Sequence, residues 1–546
     1  RGRQLLEAAL ARGDFAPAHL NLGNLHTQQG EALLAVGHYR KALALRPGWD
    51  QAALGLCLAM QQMRDPETVG CLRELVSQHP KLLKARLMLA ELLSDTQPHE
   101  ALLLLQGAPT HPAVFACRAK CHAKTLDAAN ACIEIARALE LAPDHHDYAG
   151  SLAFYSLYDE TQTPDSIRSA FARYTGLRWP QGNLKLPYTP RPRIRIAYIS
   201  GDFIAHPLMH YARTLFEQHD RRGFEVIGIS STGRPDAVTA QLRGLCDRWL
   251  DITTLDDSSA CREIRALGVD VLIDLSGHST ANRLGVLALR AAPVQMTALG
   301  VLASTGMPNV DYRIADPYTD PPGLTEAWHS EQLLRMPRFH ACYTQLREFP
   351  SATRVPGSAF TFGFFNNAMK LTPRLIDDFA QILDRVAGSR LLVLGVHNPT
   401  IASILRSRLS AHGIADERVE VRTRLDLAEF SALMASADIA IDAFPYSGGI
   451  TSIETLLTGV PIVSIAGTRP SSRNGLAILS NIGMDDWIAY SHAELVEIAC
   501  RKAGDRVALD ELRRSLPKRV RQSPLMDAPL FIADWEALIS SALRNR

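Results

Sequence analysis

The sequence predicts an α-helical solenoid of short repeats followed by two tandem α/β lobes, each built on a parallel sheet. Three observations carry that expectation. The phrase KALALRPGW (41–49) returns as RALELAPDH (137–145), and prolines at 47, 80, 112 and 143 approach a period of about 34 residues. From Arg193 onward, short β-branched runs alternate with helical segments, the pattern of a parallel sheet covered on both faces. Between these textures lies WPQGNLKLPYTPRP (179–192), with four prolines in fourteen residues, through which no helix persists.

The repeat region comes first. Residues 16–47 place Leu22, Gly23, His26, Ala35, Tyr39, Ala42 and Pro47 where a two-helix tetratricopeptide unit needs them, and two degenerate units come next before the phrase recurs. A single unit cannot bury its apolar face, so the helix pairs are expected to stack. Such a stack offers a concave surface to a peptide or a subunit, or simply buttresses the α/β lobes. The expected boundaries are 1–178 for the repeats, 179–192 for the linker, 193–345 for the first lobe and 346–546 for the second.

Bulk properties narrow the function. The chain has 546 residues, more than one core usually holds. It carries 58 Lys+Arg against 57 Asp+Glu, so no global field draws it to nucleic acid or membrane, and an anion site has to be local. No uninterrupted apolar run is long enough to span a bilayer, and RGRQLLEAALARGDF lacks the apolar block of a signal peptide; a cytoplasmic location is the expectation. Nine scattered cysteines read as reduced thiols. Cys117, Cys121 and His122 cluster in an alanine-rich helical segment without a second ligand pair, which favours helix packing over zinc.

The first lobe is read from RIAYIS (195–200), FEVIGIS (224–230), RWLDIT (248–253), DVLIDLSG (270–277), PVQMTAL (293–299) and DYRIAD (311–316). Ligands of such sheets bind beyond the carboxyl ends of the strands. His206 comes after the first of these runs and His278 after the fourth, so both are candidate catalytic residues, His206 as the group that orients or deprotonates a hydroxyl. Asp274, inside an apolar strand, needs a partner and reads as structural.

After a break that includes FPSATRVPGS, the second lobe is read from FTFGFF (360–365), RLLVLG (390–395), VEVRT (419–423), IAIDAF (439–444) and PIVSI (461–465). The turn FNNAMKLTP sets Lys370 just ahead of a helix capped by Thr372 and opened by Pro373, where an ammonium meets a diphosphate and Asn366 or Asn367 adds amide hydrogen bonds. The stretch FPYSGGITSIETLLTGVPIVSIAG (444–467) reads as strand end, paired glycines, helix and strand. Gly448 and Gly449 admit close approach of backbone, Thr451 and Ser452 offer hydroxyls in the first turn, and Glu454 reaches toward ribose. Taken alone, the glycine pair is better explained by an ordinary strand-to-helix turn, with Gly459 as the helix C-cap.

Together, GDFIAHP, DLSGHSTANR, APVQMTALG, FGFFNNAMKLTP and the 444–467 stretch closely resemble the protein O-GlcNAc transferases and their relatives, the SPINDLY-type protein O-fucosyltransferases. The resemblance covers roughly residues 193–545 and implies a two-lobed GT-B fold of Rossmann-like domains, a nucleotide-sugar donor held mainly by the second lobe, and inverting, metal-independent transfer to Ser or Thr hydroxyls of proteins. No cofactor is implied. UDP-GlcNAc is the leading donor, and an acceptor protein lying along the repeat groove is the implied partner. By the same resemblance His206 matches a histidine near the reacting centre, Lys370 the lysine on the diphosphate, Asn367 the place of a glutamine, Thr451 one of two donor-binding threonines, and Glu454 a ribose-holding aspartate. Gly449 and Ile450 stand where the family pattern has histidine and threonine, and Phe430 and Leu427 replace a histidine and a lysine near the base. Two readings stay open beside the first: a fucosyltransferase using GDP-fucose, and a non-catalytic adaptor that senses nucleotide sugars.

Overall fold

A computed structural model describes residues 2–179, 182–280, 282–350, 358–396, 398–423 and 425–544. Residues 180–181 of the proline-rich linker and 351–357 of the FPSATRVPGS break lie outside the described residues. The chain forms two compact units, Arg1–Thr125 with Ile133–Pro143, and Leu126–Cys132 with Asp144–Arg546.

The first unit is helical throughout. Helices Ala16–Gln28 and Ala32–Leu45 pair, and Leu22, Ala35, Tyr39 and Ala42 are buried, so the residues that mark the repeat are those that hold it. The Tyr39 ring shows why glycine belongs at 23 and 55. A Cβ on Gly23 would come within 2.7 Å of that ring and one on Gly55 within 2.4 Å, closer than packed carbons sit. Pro47, Pro80 and Pro143 lie just past helix ends at Leu45, Gln78 and Leu141, but Pro112 opens the helix Pro112–Lys124, with His111 Nδ1 accepting from Ala113 N–H. Proline suits that place because the first helical N–H has no partner to lose. Cys117 and Cys121 lie in the apolar core of the repeats.

The second unit holds two parallel sheets. The first comprises β1 (Ile194–Ser200), β2 (Phe224–Ser230), β3 (Arg248–Asp251), β4 (Val271–Asp274), β5 (Val294–Thr297), β6 (Tyr312–Ala315) and β7 (Gln332–Arg335), in the order β3-β2-β1-β4-β5-β6-β7. The second comprises β8 (Thr361–Phe364), β9 (Arg390–Leu394), β10 (Val419–Arg422), β11 (Ile439–Ile441), β12 (Ile462–Ile465) and β13 (Ile488–Ala489), in the order β10-β9-β8-β11-β12-β13. Every registered pair is parallel; Ile196 of β1, for example, lies between Val226 of β2 and Val271 of β4. Both are doubly wound sheets whose order reverses beside the first strand, at β1/β4 and at β8/β11, and a crevice opens at such a reversal. These are the two Rossmann-like lobes of the expected fold.

Two segments sit elsewhere than the expected boundaries place them. Helices His146–Ser156 and Pro164–Arg178 belong to the unit that holds the sheets. Phe171 shares an apolar cluster with Ala303, and Thr175 Oγ1 donates to Gly306 O at 2.9 Å, so the repeat-like texture before 178 runs on into helices that serve the first lobe. The last helix, Ala528–Arg544, falls within the residues expected for the second lobe, yet Phe531, Ile532, Trp535 and Ile539 complete the core beneath β1, and Trp535 Nε1 donates to Tyr198 Oη at 3.1 Å. Among the described residues no helix is long and apolar enough to cross a membrane.

Candidate active site

The two reversal points face one cavity of about 290 Å³. Asp202, His206 and Tyr211 reach it from the segment after β1, and Leu275, Ser276 and Ser279 from the segment after β4. Lys370 reaches it after β8, and Tyr446, Ser447, Gly449 and Ile450 after β11. His340 and Asn474 complete the polar lining.

Asp442 builds the cradle at the end of β11. Its carboxylate accepts from Ala443 N–H (2.8 Å), Gly448 N–H (2.9 Å), Asn366 Nδ2 (3.3 Å) and Ser464 Oγ (2.8 Å), and this fixes the loop that delivers the helix Ile450–Leu457. That helix begins at Gly449 with no side-chain cap, so its first N–H groups have no internal acceptor. An anion is the natural partner there.

Gly448 and Gly449 divide the work expected of both. The N–H of Gly448 is spent on Asp442, and a Cβ there would lie 2.0 Å from Ser452 Oγ. Gly448 is therefore a packing glycine. Gly449 and Ile450 line the cavity, whereas Thr451 and Ser452 do not: Ser452 is buried with its hydroxyl turned toward Gly448. The cradle offers backbone in place of the expected hydroxyls.

Lys370 closes a short turn, Ala368–Lys370, two residues ahead of the Thr372 cap. Its Nζ donates to Ser447 O at 3.0 Å and lies 4.5 Å from the Tyr446 ring centre. Burial pulls its pKa down to about 8, with Asp442 opposing the shift. The expected neighbour Asn367 is exposed and caps its own turn through Met369 N–H (3.0 Å). Asn366, bonded to Asp442, is the residue that turns inward.

His206 is exposed at the cavity mouth. Leu208 N–H donates to its Nδ1 (3.2 Å), so the neutral ring carries its proton on Nε2 and presents a donor rather than a base. His278 departs further from expectation. It lies outside the cavity lining, although its neighbours Ser276 and Ser279 belong to it; its ring packs 4.4 Å from Phe171, and Nε2 donates to Thr305 O at 3.0 Å. Burial drives its pKa down to about 4, so it is a neutral structural ring. Asp274 is held by Gly277 N–H (2.8 Å) and Thr297 Oγ1 (3.1 Å), as its place in the strand required.

Glu454 is buried with both oxygens engaged, one by Arg347 Nη2 (2.8 Å), the other by Tyr343 Oη (3.2 Å). It lies outside the cavity lining and anchors the crossing between the lobes. Asp202, Tyr211, His340, Asp442 and Asn474 escaped the sequence reading. Two of them carried a signal, Asp202 inside GDFIAHP and Asp442 as a carboxylate closing an apolar strand run as Asp274 does. Among the described residues no group of three His, Cys, Asp or Glu side chains is placed to hold a metal ion.

Comparison with known proteins fits this geometry. The family model described as glycosyl transferase family 41 matches residues 183–349 and 348–535, more than half of the chain. A tomato (Solanum lycopersicum) protein named as a probable UDP-N-acetylglucosamine-peptide N-acetylglucosaminyltransferase SPINDLY is 33% identical over 378 residues, 66% of this chain and 40% of its own length. The Arabidopsis thaliana protein of the same name is 34% identical over 378 residues, with the same shares. The chain thus spans about 40% of the length of these relatives. A mutant of the Thermobaculum terrenum O-GlcNAc transferase superposes with a TM-score of 0.74 at 27% identity, covering 97% of each chain.

Proposed function

The chain belongs to glycosyl transferase family 41, and from that membership we propose that it transfers N-acetylglucosamine from UDP-GlcNAc to Ser or Thr hydroxyls of proteins, with inversion and without a metal. One observation carries the reading: an ammonium, an uncapped helix start and a hydrogen-bonding histidine line the same cavity. The acceptor oxygen forms its bond to the anomeric carbon as the bond to the diphosphate breaks on the opposite face, and the hydroxyl proton passes to water as the new glycosidic bond forms. Negative charge grows on the departing UDP. Lys370 and the amides at Ile450 meet that charge, a stabilisation typical of phosphoryl leaving groups. His206, through Nε2–H, positions the reacting oxygens. The names of the relatives support UDP-GlcNAc and a peptide acceptor, and the helical repeats are the surface proposed to recognise that acceptor.

The test is transfer from UDP-GlcNAc to a peptide pool in the presence of EDTA, with the anomer of the product read by NMR. A β-linked product and an unchanged rate are expected. An α-linked product, or loss of activity with EDTA, overturns the mechanism. A second reading, GDP-fucose as donor, is favoured by Leu427 and Phe430, which supply no polar group for uracil. Calorimetry with UDP and GDP decides between them, because a base pocket rejects the wrong base through unpaired polar groups.

A further inference from the structure

Two buried polar atoms of the cavity wall have no partner within the protein: Tyr211 Oη and Asn474 Oδ1. Tyr211 is 7% exposed and Asn474 5%, so neither atom has bulk water as an easy substitute. They belong to side chains from different lobes, Tyr211 on the helix Met209–Glu217 and Asn474 on the helix Asn474–Asn481, and both side chains flank Gly449. A Cβ on Gly449 would stand 3.0 Å from Asn474 Nδ2 and 3.4 Å from Tyr211 Oη. The glycine leaves a notch, and the two side chains form its walls.

Asn474 cannot turn its amide to relieve the deficit. Nδ2 donates to Gly448 O at 2.7 Å, and a flipped amide would set two carbonyl oxygens against each other. Oδ1 is thereby held as an acceptor. Tyr211 supplies a hydroxyl able to donate or accept. Leaving a buried polar atom unsatisfied is costly, so two of them on the wall of an open cavity mark a place where a ligand supplies the missing bonds. A donor beside an acceptor suits a hydroxyl, which both gives and takes a hydrogen bond. A phosphate, which only accepts, leaves Asn474 Oδ1 unpaired.

We propose that Tyr211 and Asn474 form the hydroxyl-reading element of the donor site, gripping a sugar hydroxyl of the bound nucleotide sugar across the seam between the lobes. This rests on the nucleotide-sugar reading and deepens it. The notch adjoins the helix start at Ile450 where the diphosphate is proposed to lie, so the hydroxyl belongs to one of the two sugars flanking that diphosphate, the hexose or the ribose. Because the gripping atoms come from different lobes, a bound sugar ties the lobes together, and donor binding and lobe alignment become one event.

The experiment is calorimetry of UDP and UDP-GlcNAc binding to the full chain, wild type and Tyr211→Phe, with monodeoxy UDP-hexoses as further ligands. The phenol hydroxyl holds nothing inside the protein, so Tyr211→Phe keeps the wild-type unfolding temperature. Affinity for UDP-GlcNAc falls roughly five- to tenfold, the share of one hydrogen bond. A fall confined to UDP-GlcNAc, absent for one deoxy analogue, identifies a hexose hydroxyl; an equal fall for UDP identifies the ribose. Equal affinity of wild type and Tyr211→Phe for both ligands overturns the pair and leaves the donor reading intact. Failure of the wild type to bind any nucleotide sugar sinks both.

Discussion

Raising the pH should switch Lys370 off. Its ammonium is held near pKa 8 by burial, against an ordinary 10.5. The charged fraction then drops from about nine-tenths at pH 7 to about one-tenth at pH 9. The pH profile of kcat/KM reports the free enzyme, so it should bend downward near pH 8 and lose about tenfold per unit beyond. The kcat limb should lie higher, because a bound diphosphate favours the ammonium. Lys370→Arg keeps its charge throughout this range, and its profile should be flat even though its absolute rate falls. A wild-type profile flat to pH 10, or a limb retained in Lys370→Arg, refutes the leaving-group role.

The same shift has a sign for stability. A lysine whose folded pKa lies below its unfolded value binds its proton more weakly in the native state, so folding is opposed while the group is charged, and stability rises as pH climbs from about 8 toward 10.5. The shift corresponds to at most about 3.5 kcal/mol, reduced because the ammonium keeps some solvent contact. Lys370→Met should therefore make the ligand-free protein more resistant to urea at pH 7 and less active at once. A residue important only to folding would move both quantities down.

Other substitutions separate structure from chemistry. Gly448→Ala would force Ser452 Oγ from 2.0 Å and disturb Asp442; overpacking of this kind costs about 1–3 kcal/mol, and UDP binding measured by calorimetry should be lost with it. His278→Phe keeps the ring packed against Phe171 but leaves Thr305 O without its donor; about 1–3 kcal/mol of stability should go, while kcat/KM, measured below the melting range, holds within about twofold, an outcome a catalytic histidine would not permit. Trp535→Ala empties core beneath β1; denaturant titration should show a loss of about 3–5 kcal/mol.

How far the fold was legible depends on what set each element. FEVIGIS coincides with β2 because buried parallel strands are made of such runs, and Gly23 marks a repeat because a side chain there would strike Tyr39. β7 and β13 were not anticipated: QLLR has no β-branched residue, and the two residues of β13 are too few to show a period. In the site, proximity along the chain pointed to the right loops and misassigned their side chains. Whether Gly448 or Gly449 offers its N–H is decided by Asp442, and whether Asn366 or Asn367 turns inward is decided by the same carboxylate across the sheet. His278 comes after a strand end as His206 does, but Phe171, more than a hundred residues earlier, holds its ring away from the cavity. Tyr211 and Asn474 carry no local motif at all; they matter because two lobes bring them beside one glycine.

The absence of a histidine at 449 and a threonine at 450 bears on whether this cavity can act on a donor, and the structure gives a physical answer. A helix start binds an anion through main-chain N–H groups, and the helix at Ile450 has no side-chain cap competing for them. Replacing polar side chains there with glycine and isoleucine removes auxiliary donors without touching the amides. Gly449 also opens the notch that a larger residue would fill, since any Cβ would crowd the Asn474 amide at 3.0 Å. Under the proposed reading, the substitutions would trade side-chain contacts to phosphate for the space beside Tyr211 and Asn474. Charge neutralisation then falls more heavily on Lys370, the ammonium beside that helix start, held by Ser447 O and the Tyr446 face. A site that must stabilise charge appearing on a leaving group gains from a desolvated ammonium, because the attraction is strongest where water is excluded.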